Sequence, residues 1–282
     1  MARLGEKTTP IATQDAVARA RLRASLVPDL LVEAQRITNT VITGWHGRRR
    51  RGVGENFWQF RPYVEGETMA RIDWRRSARD DHIYVRDLEW EAAHTVWLWA
   101  DPSHSMLYQS QFANVSKESR ALVLILALAE LLSRGGERIA WPGLTDPFST
   151  RNGAERLAAR LLHAERAASR PDLGAVARYG DLVIASDFLD PVEEITAWLT
   201  PLISRGVRVH LIEVSDPAEE TFPYSGRTEF HDPETGAKLT AGRAEMLVED
   251  YHRLYLARRE ELANWCRRLG WSYTPSRTDR LA

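Results

Sequence analysis

The order of the apolar segments beyond residue 92 constrains this chain more than anything else in it. His94 to Ala100 (HTVWLWA) reads as a buried strand, Lys117 to Ser133 as an almost wholly apolar helix stopped by Arg134-Gly135-Gly136, and Glu137 to Trp141 as a second strand. Gly153 to His163 then reads as a helix, Asp181 to Ser186 (DLVIAS) as a third strand, Val192 to Ser204 as a helix closed by Arg205-Gly206, and Val207 to Val214 as a fourth strand. Each strand is apolar along its length instead of at alternate positions, so both faces of the sheet must be covered, and strict strand–helix alternation makes that sheet mainly parallel. Such a sheet takes ligands at the carboxyl ends of its strands. A turn-rich stretch from Thr221 to Thr240 predicts a surface hairpin, followed by a long helix from Arg243 to Leu269 and a last short strand near Trp271 to Thr274.

Two different patterns precede this region. From Gln14 to Thr43 the apolar residues Val17, Leu22, Leu26, Leu30, Leu31, Ala34, Ile37 and Val41 recur at helical steps, interrupted at Pro28-Asp29, which predicts one kinked helix or two short ones. Residues 52 to 91 carry the strand-like runs Phe57 to Phe60 and His82 to Arg86, with a stretch dense in Gly, Arg and Trp between them. The expected organisation is therefore an N-terminal helical segment at 1–51, a small β element with a long Arg- and Trp-rich loop at 52–91, and an α/β domain at 92–282. Trp74 is expected to be mostly buried, and Asp73 or Glu67 to pair with an arginine among Arg71, Arg75, Arg76 and Arg79, because so many guanidinium groups repel one another unless acids neutralise them.

Composition narrows the function classes. Of 282 residues 39 are acidic and 38 basic, so overall charge selects no partner, and the 35 arginines against three lysines weaken any argument from a single arginine cluster. Residues 1–51 hold ten bases and four acids, including the run Arg48 to Arg51, but no nucleic-acid motif accompanies them, and no nucleic-acid partner is expected. The one cysteine, Cys266, rules out an intrachain disulfide and reads as a packing residue. The longest apolar run, Ala121 to Ala129, falls short of the roughly 18 to 20 residues that cross a bilayer, and the start lacks a signal peptide's apolar core; a cytoplasmic protein is the expectation.

The sharpest chemical signal is Asp101-Pro102-Ser103-His104-Ser105, directly after the HTVWLWA strand, with Asp187 directly after DLVIAS. One reading is an open metal site: two carboxylates and two hydroxyls are hard oxygen donors suited to Mg²⁺ with waters retained. The other is capping, since Asp and Ser at a strand-to-helix turn accept hydrogen bonds from free backbone amides. His104, at an unconstrained position between the hydroxyls, reads as a surface residue. Parallel strands lie about 4.8 Å apart, so residues at the carboxyl ends of neighbouring strands can meet, and Asp101, Ser103, Ser105 and Asp187 are expected to converge at one sheet edge.

The Asp-x-Ser-x-Ser run resembles the metal-ion-dependent adhesion site of von Willebrand factor A-like domains. The segment Gly52 to Arg79, then Tyr84-Val85-Arg86, Asp187-Phe188 and Asp232-Pro233-Glu234-Thr235-Gly236, resembles a bacterial family known as domain of unknown function 58, over about residues 30 to 282. The resemblance implies a von Willebrand factor A-like (Rossmann-like) sheet with helices on both faces and metal ligands Asp101, Ser103, Ser105 and Asp187. Pro171-Asp172-Leu173 stands where the family often has Thr-Asp-Leu, which removes one hydroxyl ligand, with Thr145 or Asp172 as substitutes. Mg²⁺ binding is accordingly expected to be weak or absent. Proteins of the family are commonly encoded beside MoxR-type AAA+ ATPases, so the resemblance implies a non-enzymatic adaptor that works with such an ATPase in assembly or maturation of a client protein. The alternative is a metal-dependent phosphoesterase using Asp101 and Asp187. A phosphatase of the haloacid dehalogenase type wants Asp-x-Asp-x-Thr after its first strand, where this chain has Ser103 and Ser105, and the Walker, Gly-x-Ser-x-Gly and His-Glu-x-x-His patterns are missing.

Overall fold

Strand β3 (Thr95–Ala100) is buried from Val96 to Ala100 and lies in the middle of a six-stranded sheet. The computed structural model describes residues 29–35, 37–38, 51–64, 69, 72–79, 81–89, 94–164 and 170–280. The described residues divide into two compact units, one within 44–94 and the other comprising those of 1–43 and 95–282. The helix expected before Pro28, the bases Arg48 to Arg50, and Glu67 and Arg71 lie outside the described residues.

In the unit within 44–94, β1 (Arg51–Pro62) pairs antiparallel with β2 (Tyr84–Glu89), and the four-residue helix α1 (Trp74–Ser77) lies between them in sequence. Asp73 caps α1 by accepting the Arg76 amide at 2.9 Å. The expected burial of Trp74 is wrong: the residue is 62% exposed. A helix of one turn has no wide inner face, and the apolar positions sealed here are Ile72 and Val85, which bridge each other just before the helix. The Arg76 guanidinium stacks on Tyr84, 4.7 Å from the centre of its ring.

The second unit is built on the order β10-β7-β6-β3-β4-β5. Its strands are β3, β4 (Arg138–Trp141), β5 (Thr145–Phe148), β6 (Asp181–Ser186), β7 (Arg208–Ser215) and β10 (Ser272–Arg277), all parallel except β5. Burial is continuous along β6 from Leu182 to Ser186, which is what a strand covered on both faces requires. The covering helices are α2 (Lys117–Arg134), α3 (Gly153–His163), α4 (Val192–Ile203) and α6 (Val248–Arg268). Connections run outward from β3 in one direction through α2 and from β6 in the other through α4; right-handed crossovers of opposite direction put those helices on opposite faces. Leu30 and Ala34, from the helical residues 29–35, belong to this core, and Thr38 donates its hydroxyl to the Ala127 carbonyl of α2 at 3.1 Å. A short helix α5 (Pro217–Thr221) follows β7, and the hairpin of β8 (Thr228–His231) and β9 (Lys238–Ala241) precedes α6. Among the described residues no helix is long and apolar enough to cross a membrane.

Candidate functional site

The strand order reverses between β3 and β6, because the chain leaves β3 toward β4 and then returns to β3's other side. Crevices in open α/β sheets form at such a switch point, beyond the carboxyl ends of the strands. Ala100 pairs with Ala185 across it, so Asp101 leaves the sheet beside Ser186, with Asp187 one residue further on. The Asp101 amide donates to the Ala185 carbonyl at 2.8 Å, which extends the ladder and fixes the loop's start.

The loop from 101 to 105 is held by its own side chains. Asp101 accepts the Ser103 amide at 2.8 Å through Oδ1 and the Ser186 hydroxyl at 2.6 Å through Oδ2. The hydroxyls of Ser103 and Ser105 lie 3.1 Å apart, within hydrogen-bond distance. Burial pushes the Asp101 carboxyl above its ordinary pKa, aided by the charge of Asp187 and opposed by the bonds from Ser186 and Ser103. Asp101, Ser103 and Ser105 thus share one loop closed by its own hydrogen bonds, the short helix that follows carries no side-chain cap, and Asp187 stands just past the end of the neighbouring strand.

Asp187 is not open. Its Oδ2 accepts a hydrogen bond from the Lys117 ammonium at 2.8 Å, and its Oδ1 accepts the Leu189 amide at 3.3 Å. Lys117 has no solvent exposure and also donates to Glu219 of α5. Burial alone lowers a lysine's pKa, but Asp187 and Glu219 together outweigh it and hold Lys117 above the ordinary lysine value, as a fixed ammonium. Glu219 completes a capping box on α5: its Oε2 accepts the Asp216 amide at 2.9 Å, while Asp216 accepts the Ala218 amide at 2.8 Å. On β7, Glu213 is buried opposite Ser186 in register and bonds Arg258, Arg259 and Tyr273. The edge therefore carries several carboxylates, each matched to a lysine or arginine or to backbone amides.

Tested as a home for Mg²⁺, these residues do not fit. Octahedral coordination at about 2.1 Å needs several oxygens facing one point with no cation already seated there, whereas Asp187 already serves the internal Lys117 ammonium and both Asp101 oxygens are held by protein hydrogen bonds. The two substitutes for the missing threonine are committed locally: Thr145 accepts the Trp141 amide and Asp172 the Gly174 amide, both at 2.9 Å. Among the described residues no group of three or more His, Cys, Asp or Glu side chains is arranged to hold a metal ion.

The outer side of the loop meets the hairpin. Glu234, in the turn between β8 and β9, accepts the Ser105 amide at 2.8 Å through Oε1, and its Oε2 lies 3.6 Å from Nδ1 of the exposed His104. Sequence reasoning found the four residues that end strands or follow them in the motif and missed Lys117, Ser186, Glu213, Glu219 and Glu234. Lys117 carried a signal: it is one of three lysines in an arginine-rich chain and opens an apolar helix.

Fold and edge together define an α/β protein with a mainly parallel sheet and a carboxylate–hydroxyl loop at its switch point. The chain belongs to the DUF58 family, described as a protein of unknown function, whose model matches residues 59–261. It is 30% identical over 249 residues to uncharacterized proteins of Mycobacterium bovis and Mycobacterium tuberculosis, an alignment covering 81% of this chain and 76% of each relative. Among solved structures it is similar to a conserved hypothetical protein BatB from Bacteroides thetaiotaomicron, at 15% identity over 66% of this chain and 91% of the other with a TM-score of 0.37. An aerotolerance-related membrane protein from Bacteroides fragilis gives 17% identity over 65% and 91% with a TM-score of 0.34. Likenesses so slight carry no argument.

Proposed function

We propose that this chain is a non-enzymatic protein-interaction adaptor: a von Willebrand factor A-like domain with a degenerate adhesion site, which docks an acidic side chain of a partner. The partner proposed is a MoxR-type AAA+ ATPase in a cytoplasmic setting, with assembly or maturation of a client as the outcome. The observation that supports docking is the seat of Glu234: the Ser105 amide already holds a carboxylate from the chain's own hairpin, beside the exposed imidazole of His104. A carboxylate supplied by a partner would find the same donor by displacing an exposed side chain, which costs little desolvation. The arrangement favours this reading over a phosphoesterase because both oxygens of Asp101 are tied to the protein by hydrogen bonds and Asp187 is paired with the buried Lys117.

The test is direct binding between the purified chain and the purified MoxR-type ATPase of the same organism. His104→Glu places a like charge beside the carboxylate seat and is expected to weaken binding at least about tenfold, about 1.4 kcal/mol. Arg178→Glu, exposed just before β6 and therefore at the opposite end of the sheet, is expected to leave binding unchanged. Absence of binding, or equal loss in both variants, would overturn the proposal.

A further inference from the structure

We infer that the ammonium of Lys117 is the resident cation of this edge, and that the loop from 101 to 105 is held in its docking geometry without any divalent ion. The inference rests on the site's geometry and stands whether or not the partner is an ATPase.

Three observations carry it. First, Lys117 is completely buried, an expensive place for an ammonium unless carboxylates surround it, and two do: Asp187, 70 residues away in sequence, and Glu219, 102 residues away. Second, Lys117 is the first residue of α2, whose N-terminus is the positive end of the helix dipole. Local helix energetics oppose a cation there, so its placement answers to the carboxylates and not to the helix. Third, the other oxygens of the cluster are each engaged by a protein donor. The second oxygens of Asp187 and Glu219 accept the Leu189 and Asp216 amides, the Asp101 oxygens accept Ser103 and Ser186, and the hydroxyls of Ser103 and Ser105 meet each other. A divalent ion sharing Oδ2 of Asp187 would stand no more than about 5 Å from the buried ammonium, where like charges repel strongly. Lys117 joins the loop after β6 to the N-termini of α2 and α5 through Asp187 and Glu219.

The experiment compares the parent with Lys117→Met, which keeps the side chain's length, and with Lys117→Met/Glu219→Gln, which also keeps net charge. Each is melted in EDTA, in Mg²⁺ and in Mn²⁺, and each is titrated with Mn²⁺ by calorimetry. The parent is expected to melt at one temperature in all three media and to give no saturable heat up to millimolar ion. Lys117→Met is expected to melt lower in EDTA and to recover with Mn²⁺, since an ion bound only by the folded state raises its stability. The double variant is expected to bind Mn²⁺ at least about tenfold more tightly than the parent. The inference is overturned if the parent binds Mg²⁺ or Mn²⁺ at sub-millimolar concentration in a manner that Asp187→Asn abolishes. It is equally overturned if either folded variant melts like the parent and is indifferent to Mn²⁺. Should neither variant fold in any medium, the parent's titration decides alone.

Discussion

Glu213 is fully enclosed at the carboxyl end of β7, with Arg259 Nε at 2.7 Å, Arg258 Nη2 at 3.2 Å and the Tyr273 hydroxyl at 2.5 Å. Three donors satisfy one buried carboxylate; removing it takes a buried acceptor from Arg258, Arg259 and Tyr273, while Arg259 keeps Glu220 and Arg258 keeps the Asp187 and Phe188 carbonyls. Glu213→Ala is therefore expected to cost about 3 to 5 kcal/mol in chemical denaturation, the range for breaking a buried pair from one side. Trp74 makes the opposite case. Exposed as it is, Trp74→Ala is expected to change stability by no more than about 0.5 kcal/mol, read from the same denaturation curves. The sequence misled at Trp74 because a tryptophan among arginines suits a clasp and a solvent-facing turn equally well. Asp101, Ser103, Ser105 and Asp187 were legible because each follows a strongly apolar strand, and strand ends of a parallel sheet share an edge. Lys117 and Glu219 were not, because an ion pair across 102 residues leaves no periodic trace; only the rarity of lysine marked the first, and a capping box the second.

At the scale of elements the pattern read from apolar runs matches the sheet closely where burial is continuous, and the helix Gly153–His163 and the strand Asp181–Ser186 have the bounds expected of them. The strand that escaped notice is β5, Thr-Asp-Pro-Phe, which contains a proline and few apolar residues. Such a strand is tolerated only at an edge, where one side of the backbone needs no ladder partner, and β5 is the sheet's antiparallel edge. The other outer strand, β10, supplies a pH-dependent contact: Ser272 Oγ lies 2.8 Å from Nδ1 of His210 on β7. Burial, opposed by Asp181 and reinforced by Arg208, holds His210 below the ordinary histidine pKa. The folded state thus takes up this proton later than the unfolded chain does, so stability is intact above about pH 6.5 and falls as pH drops from there toward the depressed value. His210→Gln is expected to flatten that fall relative to the parent in denaturation midpoints between neutral and mildly acidic pH. An identical fall in both proteins would remove His210 as its source.

For the molecule as a whole, the strand order decides where a ligand can sit, and the side chains decide what kind it is. The switch point between β3 and β6 brings the 101–105 loop, the end of β6 and the hairpin turn at Glu234 to one edge of the second unit. Buried Lys117 ties the inner layer of that edge together, while Ser105 and His104 present its outer layer. The unit within 44–94 offers a rival surface, since Val64, Met69 and Trp74 are all exposed there. Hydrogen exchange read by mass spectrometry, with and without saturating MoxR-type ATPase, separates the two most directly. The account predicts that the complex slows exchange in residues 101–110 and in the hairpin from 228 to 241, with 44–94 unchanged. Slowing confined to 44–94, with the 101–110 loop exchanging as in the free protein, would contradict it.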